Sequence, residues 1–300
     1  MRAGLAVALV LALAPWRTST FEMEWSEDAL SLFHQRHRLS QPELEVDPRV
    51  QARMDKYMIE GMNDVIGWFD LQALLVLRVL SAHQIKKGVE GGVAEIGVHH
   101  GKTFTALSLM NLDAGRQGGR AVAIDVFEEQ DLNVDGSGEG DRQELLRTLE
   151  RWCGDVCVTP DKLAILQTDS MILQPEQVLQ ANDKKKLRIF SIDGSHTAEA
   201  TYNDLSIAAR VLAQDGIIMV DDFFAEGWPG VSEGVMRFYY NQSSLDEAPL
   251  VPFFVGFNKV GLLLDGRAVG EDLARFCSRG RRSRASTSTS CERKDPASFR

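Results

Sequence analysis

Only four cysteines, Cys153, Cys157, Cys277 and Cys291, occur in the 300 residues, too few for a disulfide framework in a domain of this size. Cys153 and Cys157 lie four apart, which leaves a local bridge or a metal pair open, although no His or further Cys stands near them at ligand spacing. Positive charge is also scarce: 33 Lys and Arg face 43 Asp and Glu, for a net charge of -10 and a pI near 5.2. A nucleic-acid surface needs clustered Lys and Arg, so nucleic acid is excluded as a substrate. The basic stretch from Arg279 to Arg284 is a local exception and reads as a solvated charge run. Long apolar runs are missing as well. Ala3–Ala14 behind Arg2 fits the core of a secretory signal and is too brief to span a bilayer. Residues 1–20 are therefore expected to direct export or organelle entry, and the mature chain to carry no membrane span. A mis-assigned start or a buried helix, with a cytoplasmic location, is the alternative.

What the chain does have is 44% hydrophobic content, ample for one sizeable core with appendages. From Glu27 to about Lys87 the spacing is helical, with Met54, Met58, Val65, Trp68, Leu71, Leu74, Leu75, Leu77 and Leu80 recurring at three and four residues, so these side chains are expected to pack. Pro42 and Pro48 are expected to break this pattern in a loop. Beyond Gly92, short apolar runs alternate with helical stretches. The runs are Val93–Ile96, Ala121–Ile124, Leu163–Leu166, Arg188–Ile192 and Ile217–Val220, a pattern that predicts a parallel sheet with crossover helices. Helices are expected over Asp141–Trp152, from Pro175, and over Ala198–Ala213. Val251–Gly256 and Lys259–Leu264 flank a turn at Asn258 and predict an antiparallel edge hairpin. After about Gly266 the sequence turns polar and is expected to lack structure.

Val93-Ala94-Glu95-Ile96-Gly97-Val98-His99-His100-Gly101-Lys102-Thr103 carries the most chemistry. An apolar run ends in an acid and meets two glycines spaced for a tight strand-to-helix turn, where the backbone bends sharply and a ligand approaches the main chain. A phosphate-gripping P-loop needs four residues between its first Gly and Gly-Lys-Thr, and three stand here. A dinucleotide fingerprint needs its glycines after the strand, whereas Gly91 and Gly92 precede it. The remaining pattern, E-x-G-x-x-x-G, resembles motif I of the class I methyltransferases that use S-adenosylmethionine.

Ligands of a doubly wound sheet sit beyond the carboxyl ends of its strands, and here every expected strand ends in an acid: Glu95, Asp125, Asp169 with Ser170, Asp193, and Asp221 with Asp222. Asp125 stands where an acceptor-only carboxylate takes both hydroxyls of a ribose. Asp169 and Ser170 are placed to border an adenine, although Ser170 could equally cap the next turn. Glu95 either orients the glycine turn and meets the ligand's amino acid end, or is a buried acid satisfied by backbone N–H groups.

The segment Ile192-Asp193-Gly194-Ser195-His196-Thr197, with Tyr202-Asn203-Asp204 and then Asp215–Asp222, sharpens the likeness. It resembles the branch of class I methyltransferases that includes cephalosporin-type and macrolide-sugar O-methyltransferases, over roughly Gly92 to Leu264. The resemblance implies an α/β fold: a doubly wound, Rossmann-like, mostly parallel sheet with an antiparallel edge hairpin, preceded by an N-terminal helical cap. The expected division is 1–20 targeting segment, 21–90 cap, 91–265 cofactor-binding domain and 266–300 polar tail. In several relatives, carboxylates ending strands four and five hold magnesium, which implies a metal set of Asp193, Asp221 and Asp222. Three converging carboxylates repel unless they share a proton or bind a cation, and Mg²⁺ suits their oxygens.

The implied activity is methyl transfer from S-adenosylmethionine to a hydroxyl of a small molecule of sugar or secondary-metabolite type. Glu95, Gly97, Gly101, Asp125, Asp169 and Ser170 would hold the cofactor, Asp193 would act at the reacting hydroxyl, and Mg²⁺ would assist. His196 is the candidate general base; the alternative places it in the first turn of a helix capped by Ser195. His99 and His100 read as loop residues or substrate neighbours. Phe127–Asp141 has the length and acidity of a lid. Trp228 before Pro229 and Gly230 offers an aromatic wall or a loop plug. A non-catalytic cofactor-binding protein and a nucleotide-dependent oxidoreductase are the competing readings, and self-association is left open.

Overall fold

A computed structural model of the protein describes residues 47–242 and 250–264. The expectations for the leader, for Pro42, for Cys277 and Cys291 and for the polar tail lie outside those residues.

The expected apolar runs become the parallel strands β1 (Gly91–Ile96), β2 (Gly118–Asp125), β3 (Leu163–Gln167), β4 (Leu187–Ile192) and β5 (Leu212–Val220). The hairpin β6 (Leu250–Gly256) and β7 (Lys259–Leu264) closes the sheet at one side. Strand order is β3-β2-β1-β4-β5-β7-β6, with β7 antiparallel to both β5 and β6. Order reverses between β1 and β4, so the crevice of a doubly wound sheet opens there. Phe257 and Asn258, both at positive φ, form the two-residue turn whose twist suits adjoining antiparallel strands.

Successive residues of a strand face opposite sides, and each side has its own core. Val93, Ala121, Ala123 and Ile189 face α1 (Pro48–Lys56), α2 (Leu71–Lys87), α3 (Lys102–Asp113) and α4 (Arg142–Trp152). Ala94, Ile96, Val122, Ile124 and Ile192 face α5 (Pro175–Ala181), α6 (Ala198–Val211) and α7 (Pro229–Asn241). Burial on both faces explains the near-continuous apolar reading of the strands. Arg188 in β4 is wholly buried, yet its guanidinium donates to Ser81 Oγ (2.9 Å), Gln84 Oε1 (3.1 Å) and the Met110 carbonyl (2.7 Å). These bonds pin α2 and α3 to the sheet and offset much of the cost of burying the charge, although the Arg188 Nε has no hydrogen-bond partner.

Several expectations are corrected. Pro48 opens α1 and does not interrupt a helix; Asp47 caps it by accepting from the Arg49 N–H at 2.9 Å. A first helical position needs no N–H, so proline fits there. The helix expected over Ala198–Ala213 stops at Val211, and β5 begins at Leu212, with Asp215 at φ 59° and a register shift opposite Leu187–Ile189. Trp68 is not core: it lies in the loop between the first helical stretch and α2 and is 77% exposed. Cys153 and Cys157, left open as a bridge or metal pair, are joined by a disulfide at the end of α4. Among the described residues no helix is long and apolar enough to cross a membrane.

Candidate functional site

Strand register sets the depth of the site. Ile96 pairs with both Ile124 and Ile192, and Ile192 with Val220, so four strands end at one level. The ladder then continues one residue further: Gly97 N–H donates to Ile124 O, Asp193 N–H to Ile96 O and Asp221 N–H to Ile192 O, each at 2.9 Å. Main-chain bonds thus hold the acids beyond the strand ends at the mouth of one crevice. A cavity of about 710 Å³ opens there and is lined by Glu95, Gly97, Asp125, Asp169, Ser170, Asp193, His196, Asp221 and Asp222. All the candidate site residues except Gly101 border it.

Gly101 acts from below. It precedes α3 at φ 88°, a left-handed conformation that strains any residue with a β-carbon, and an added carbon would also press on the flexible end of Leu145 at 2.6 Å. Asp125 receives the His99 N–H on Oδ2 (2.8 Å) and the Phe127 N–H on Oδ1 (2.6 Å). Asp125 borders the cavity, and a carboxylate oxygen can accept more than one hydrogen bond. Burial raises its pKa, and the backbone donors oppose that rise. Glu95 is buried, its Oε2 has no hydrogen-bond partner, and burial, reinforced by the nearby Asp193 charge, raises its pKa well above the usual range. An unpartnered carboxyl oxygen at a cavity wall is a waiting acceptor or donor, since such groups are rarely left unmade. Asp169 accepts the Met171 N–H at 2.8 Å, shaping the turn that presents Ser170.

The acids and the histidine of the floor separate into two sets. Asp193, His196 and Asp222 bring one ligand atom each within 4.8 Å of one another. Asp221 is drawn instead into an ion pair with the Lys259 Nζ, both side chains being nearly buried. Of the expected trio, Asp193 and Asp222 stand together with His196 beside them, while Asp221 is turned toward Lys259. Burial and the Asp221 charge raise the pKa of Asp193 well above normal, partly relieved by Lys259. Burial also raises that of Asp221. Asp222 moves the other way: its hydrogen bond with His196 holds it below the carboxylate range despite burial. Asp193 and Asp222 supply carboxylate oxygens of the kind a divalent cation takes.

His196 sits between carboxylates. Its Nε2 lies 3.0 Å from Asp222 Oδ2 and its Nδ1 3.0 Å from Asp135 Oδ2 and 3.1 Å from Ser137 Oγ, and its ring stacks on Trp228 at 4.3 Å. Burial alone would lower its pKa, but the hydrogen bonds and charges of Asp222, Asp135 and Asp193 prevail and raise it. Ser195 does not cap the next helix. Thr197 does, accepting the Ala200 N–H at 3.2 Å, so His196 is outside the helix and faces the cavity.

Four contributors are not legible in the sequence. Asp135 and Ser137 come from the expected lid, whose acidity is plain but whose reach to His196 is not. Asn258 donates to Asp222 Oδ1 at 2.6 Å. Lys259 is carried opposite Asp221 by the pairing of Val220 with Val260.

Asp204, on the α6 side beneath Ser170 and Gly194, is a further buried acid. Neither oxygen has a well-formed partner, and burial, only partly offset by Ser170 and Asn203, lifts its pKa from 3.8 to about 7. A carboxyl with a raised folded pKa binds more protons in the native state, so stability is full near pH 4 and falls as pH rises toward 7. The shift corresponds to about 4 kcal/mol. Asp204→Asn is expected to remove most of this slope, read by denaturant unfolding at pH 4.5 and 7.5; an unchanged slope would show that Asp204 does not cause it.

Residues 94–223 match the family profile described as a methyltransferase domain. No curated protein sequence matches the chain significantly. Among solved structures, the O-methyltransferase NovP superposes with a TM-score of 0.50 at 17% identity, over 64% of this chain and 79% of that one. CalS11, the TDP-rhamnose 3'-O-methyltransferase of calicheamicin biosynthesis, does so with a TM-score of 0.50 at 18% identity, over 80% and 96%. At such identities the likeness is one of fold.

Proposed function

We propose that this chain, whose residues 94–223 match the profile described as a methyltransferase domain, uses S-adenosylmethionine to methylate a hydroxyl of a small molecule, with a divalent cation assisting. The observation that carries this reading is the floor of the crevice, where Asp193, Asp222 and His196 converge beside the Gly97 bend. The bound donor supplies an electrophilic methyl group on a sulfonium sulfur; the S–CH₃ bond breaks as O–CH₃ forms, and the hydroxyl proton must leave. Gly97 lets the main chain approach the donor, Asp125 takes the ribose hydroxyls, Asp169 and Ser170 border the adenine, and Glu95 meets the amino acid end. Asp193 and Asp222 would hold the cation, which would lower the pKa of a bound hydroxyl.

His196, neutral with its proton on Nδ1 toward Asp135, would receive that proton on Nε2, and the Asp222 carboxylate 3.0 Å away would stabilise the imidazolium that results. Asp135 and Ser137 fix its Nδ1 side, so the Nε2 side, next to Asp222, meets the acceptor. Trp228 keeps the ring in plane. The oxidoreductase alternative has no support from the matched family, and the convergence of Asp193, Asp222 and His196 argues against a non-catalytic binder. The disulfide joining Cys153 and Cys157, taken with the apolar Ala3–Ala14, supports placement in an oxidising compartment.

Calorimetric titration with S-adenosylhomocysteine, with and without Mg²⁺, tests the division of labour. Asp125→Ala is expected to weaken binding by roughly 100-fold, from two lost charge-assisted hydrogen bonds. Asp222→Ala is expected to keep binding while turnover drops about 100-fold. Turnover indifferent to chelator would remove the cation from this account, and wild-type protein that fails to bind S-adenosylhomocysteine would overturn it altogether.

A further inference from the structure

The cavity has a charged floor and an apolar rim. Eight carboxylates border it against two lysines, and both lysines are committed: Lys102 Nζ donates to the Gly67 carbonyl at 2.7 Å, and Lys259 is paired with Asp221. No arginine lines it among the described residues. A phosphate or diphosphate group entering this space would find no free guanidinium or ammonium to receive it, and the cation proposed on the floor is engaged by the acceptor hydroxyl.

The rim is different in kind. Ile66 and Trp68 come from the loop before α2, and Leu132 and Val134 from the loop after β2. All four border the cavity, and they stand 65%, 77%, 40% and 74% exposed. Large apolar side chains scattered singly on a surface are ordinary, but uncovered ones gathered from two loops around a single opening mark a binding site. The two loops are also fastened to the bottom of the site. Lys102 holds the first through Gly67, and the Trp68 ring lies 5.8 Å from that of His99. The second is anchored where Asp135 accepts from the His196 N–H at 2.6 Å. The rim is thus tied to the floor from two sides, and an acceptor that uses both must reach from one to the other.

We propose that the acceptor is an uncharged or cationic amphipathic molecule, with its hydroxyl end on the acidic floor and a flat or aliphatic body gripped by Ile66, Trp68, Leu132 and Val134. A nucleoside-diphosphate sugar or a small free sugar does not meet that description. The inference rests on the methyltransferase reading and refines its substrate class. Trp68 is the specificity-determining residue, since an exposed indole gains most area when a planar body covers it.

The test uses the full chain saturated with S-adenosylhomocysteine and titrated with three probes: a catechol-bearing flavonol, catechol alone, and a nucleoside-diphosphate sugar. The flavonol is expected to bind at least about tenfold more tightly than catechol, because only it spans rim and floor, and the nucleoside-diphosphate sugar more weakly than either. Trp68→Ala, and separately Val134→Ser, should erase roughly tenfold of the flavonol's affinity, leaving S-adenosylhomocysteine affinity and catechol affinity unmoved, and Trp68→Phe should restore most of it. Preference for the nucleoside-diphosphate sugar, equal affinity for flavonol and catechol, or an unaffected Trp68→Ala protein would each overturn the proposal while leaving methyl transfer intact. Failure of S-adenosylhomocysteine itself to bind would overturn both.

Discussion

Gly97→Ala protein is expected to lose about 3–5 kcal/mol of folding stability and, in whatever fraction stays folded, all measurable S-adenosylhomocysteine binding. Gly97 has φ 84°, and a β-carbon there would lie 1.8 Å from the Asp193 carbonyl oxygen, 2.4 Å from its carbon and 2.8 Å from the Gly194 nitrogen. These are main-chain atoms at the ends of adjacent central strands, so no rotamer change relieves the contact. Relief requires β1 and β4 to separate where Asp193 N–H bonds to Ile96 O, which would displace Asp193 from the floor. Gly88→Ala is the control. Gly88 has a similar φ of 74° with nothing within 4 Å of an added carbon, so it isolates the left-handed backbone cost of about 1 kcal/mol. Urea unfolding of both variants separates the contributions, and a Gly97→Ala protein no weaker than Gly88→Ala would refute the close-approach argument.

Lys259→Met should be nearly as severe. Lys259 is 2% exposed, pairs with Asp221, and has its ammonium 4.3 Å from the Phe69 ring centre. Removing one partner of a buried pair leaves the other charge uncompensated, at a cost of about 3–5 kcal/mol. Here the orphan also faces Asp193. The folded pKa values of Asp193 and Asp221 are raised, chiefly by burial, so the native state holds extra protons above the ordinary carboxylate range and loses stability as pH rises through it. Without Lys259 both pKa values rise further. The deficit relative to wild type should therefore be full at pH 8 and shrink toward pH 4. With the cation assignment proposed above, added Mg²⁺ at pH 8 should narrow it too. Thermal unfolding with chelator at both pH values checks the sign, and a deficit independent of pH would mean that lost packing, not charge, is the cause.

Much of this arrangement is legible in the chain, for identifiable reasons. Central parallel strands are buried on both sides, so Val93–Ile96, Ala121–Ile124 and Ile217–Val220 stand out as unbroken apolar runs. Their carboxyl ends share one level, which is why the acids at the ends of the runs, Glu95, Asp125, Asp169, Asp193, Asp221 and Asp222, come together around one crevice. The hidden remainder depends on separations that no local pattern encodes. The pairing of Asp221 with Lys259 arises from antiparallel register between β5 and a hairpin far along the chain. Asp135 reaches His196 only through the path of its loop. Trp68 keeps helical spacing with its apolar neighbours, yet the helix has already ended before it, so spacing places it in the core when the backbone turns it outward. Cys153 and Cys157 meet because α4 gives way to a short turn at Gly154, φ 93°, and that break cannot be told from their spacing.

The carboxylates at the bottom of the crevice are located by amide-to-carbonyl bonds between neighbouring strands, whereas Ile66, Trp68, Leu132 and Val134 ride on segments that the sheet does not specify. The reacting depth is therefore set by the main chain, and the residues that select the acceptor ride on loops tied to it only at Gly67 and Asp135. Transplanting residues 66–68 or 132–134 from another chain should retune which molecules are admitted while the reacting depth stays where the main chain sets it.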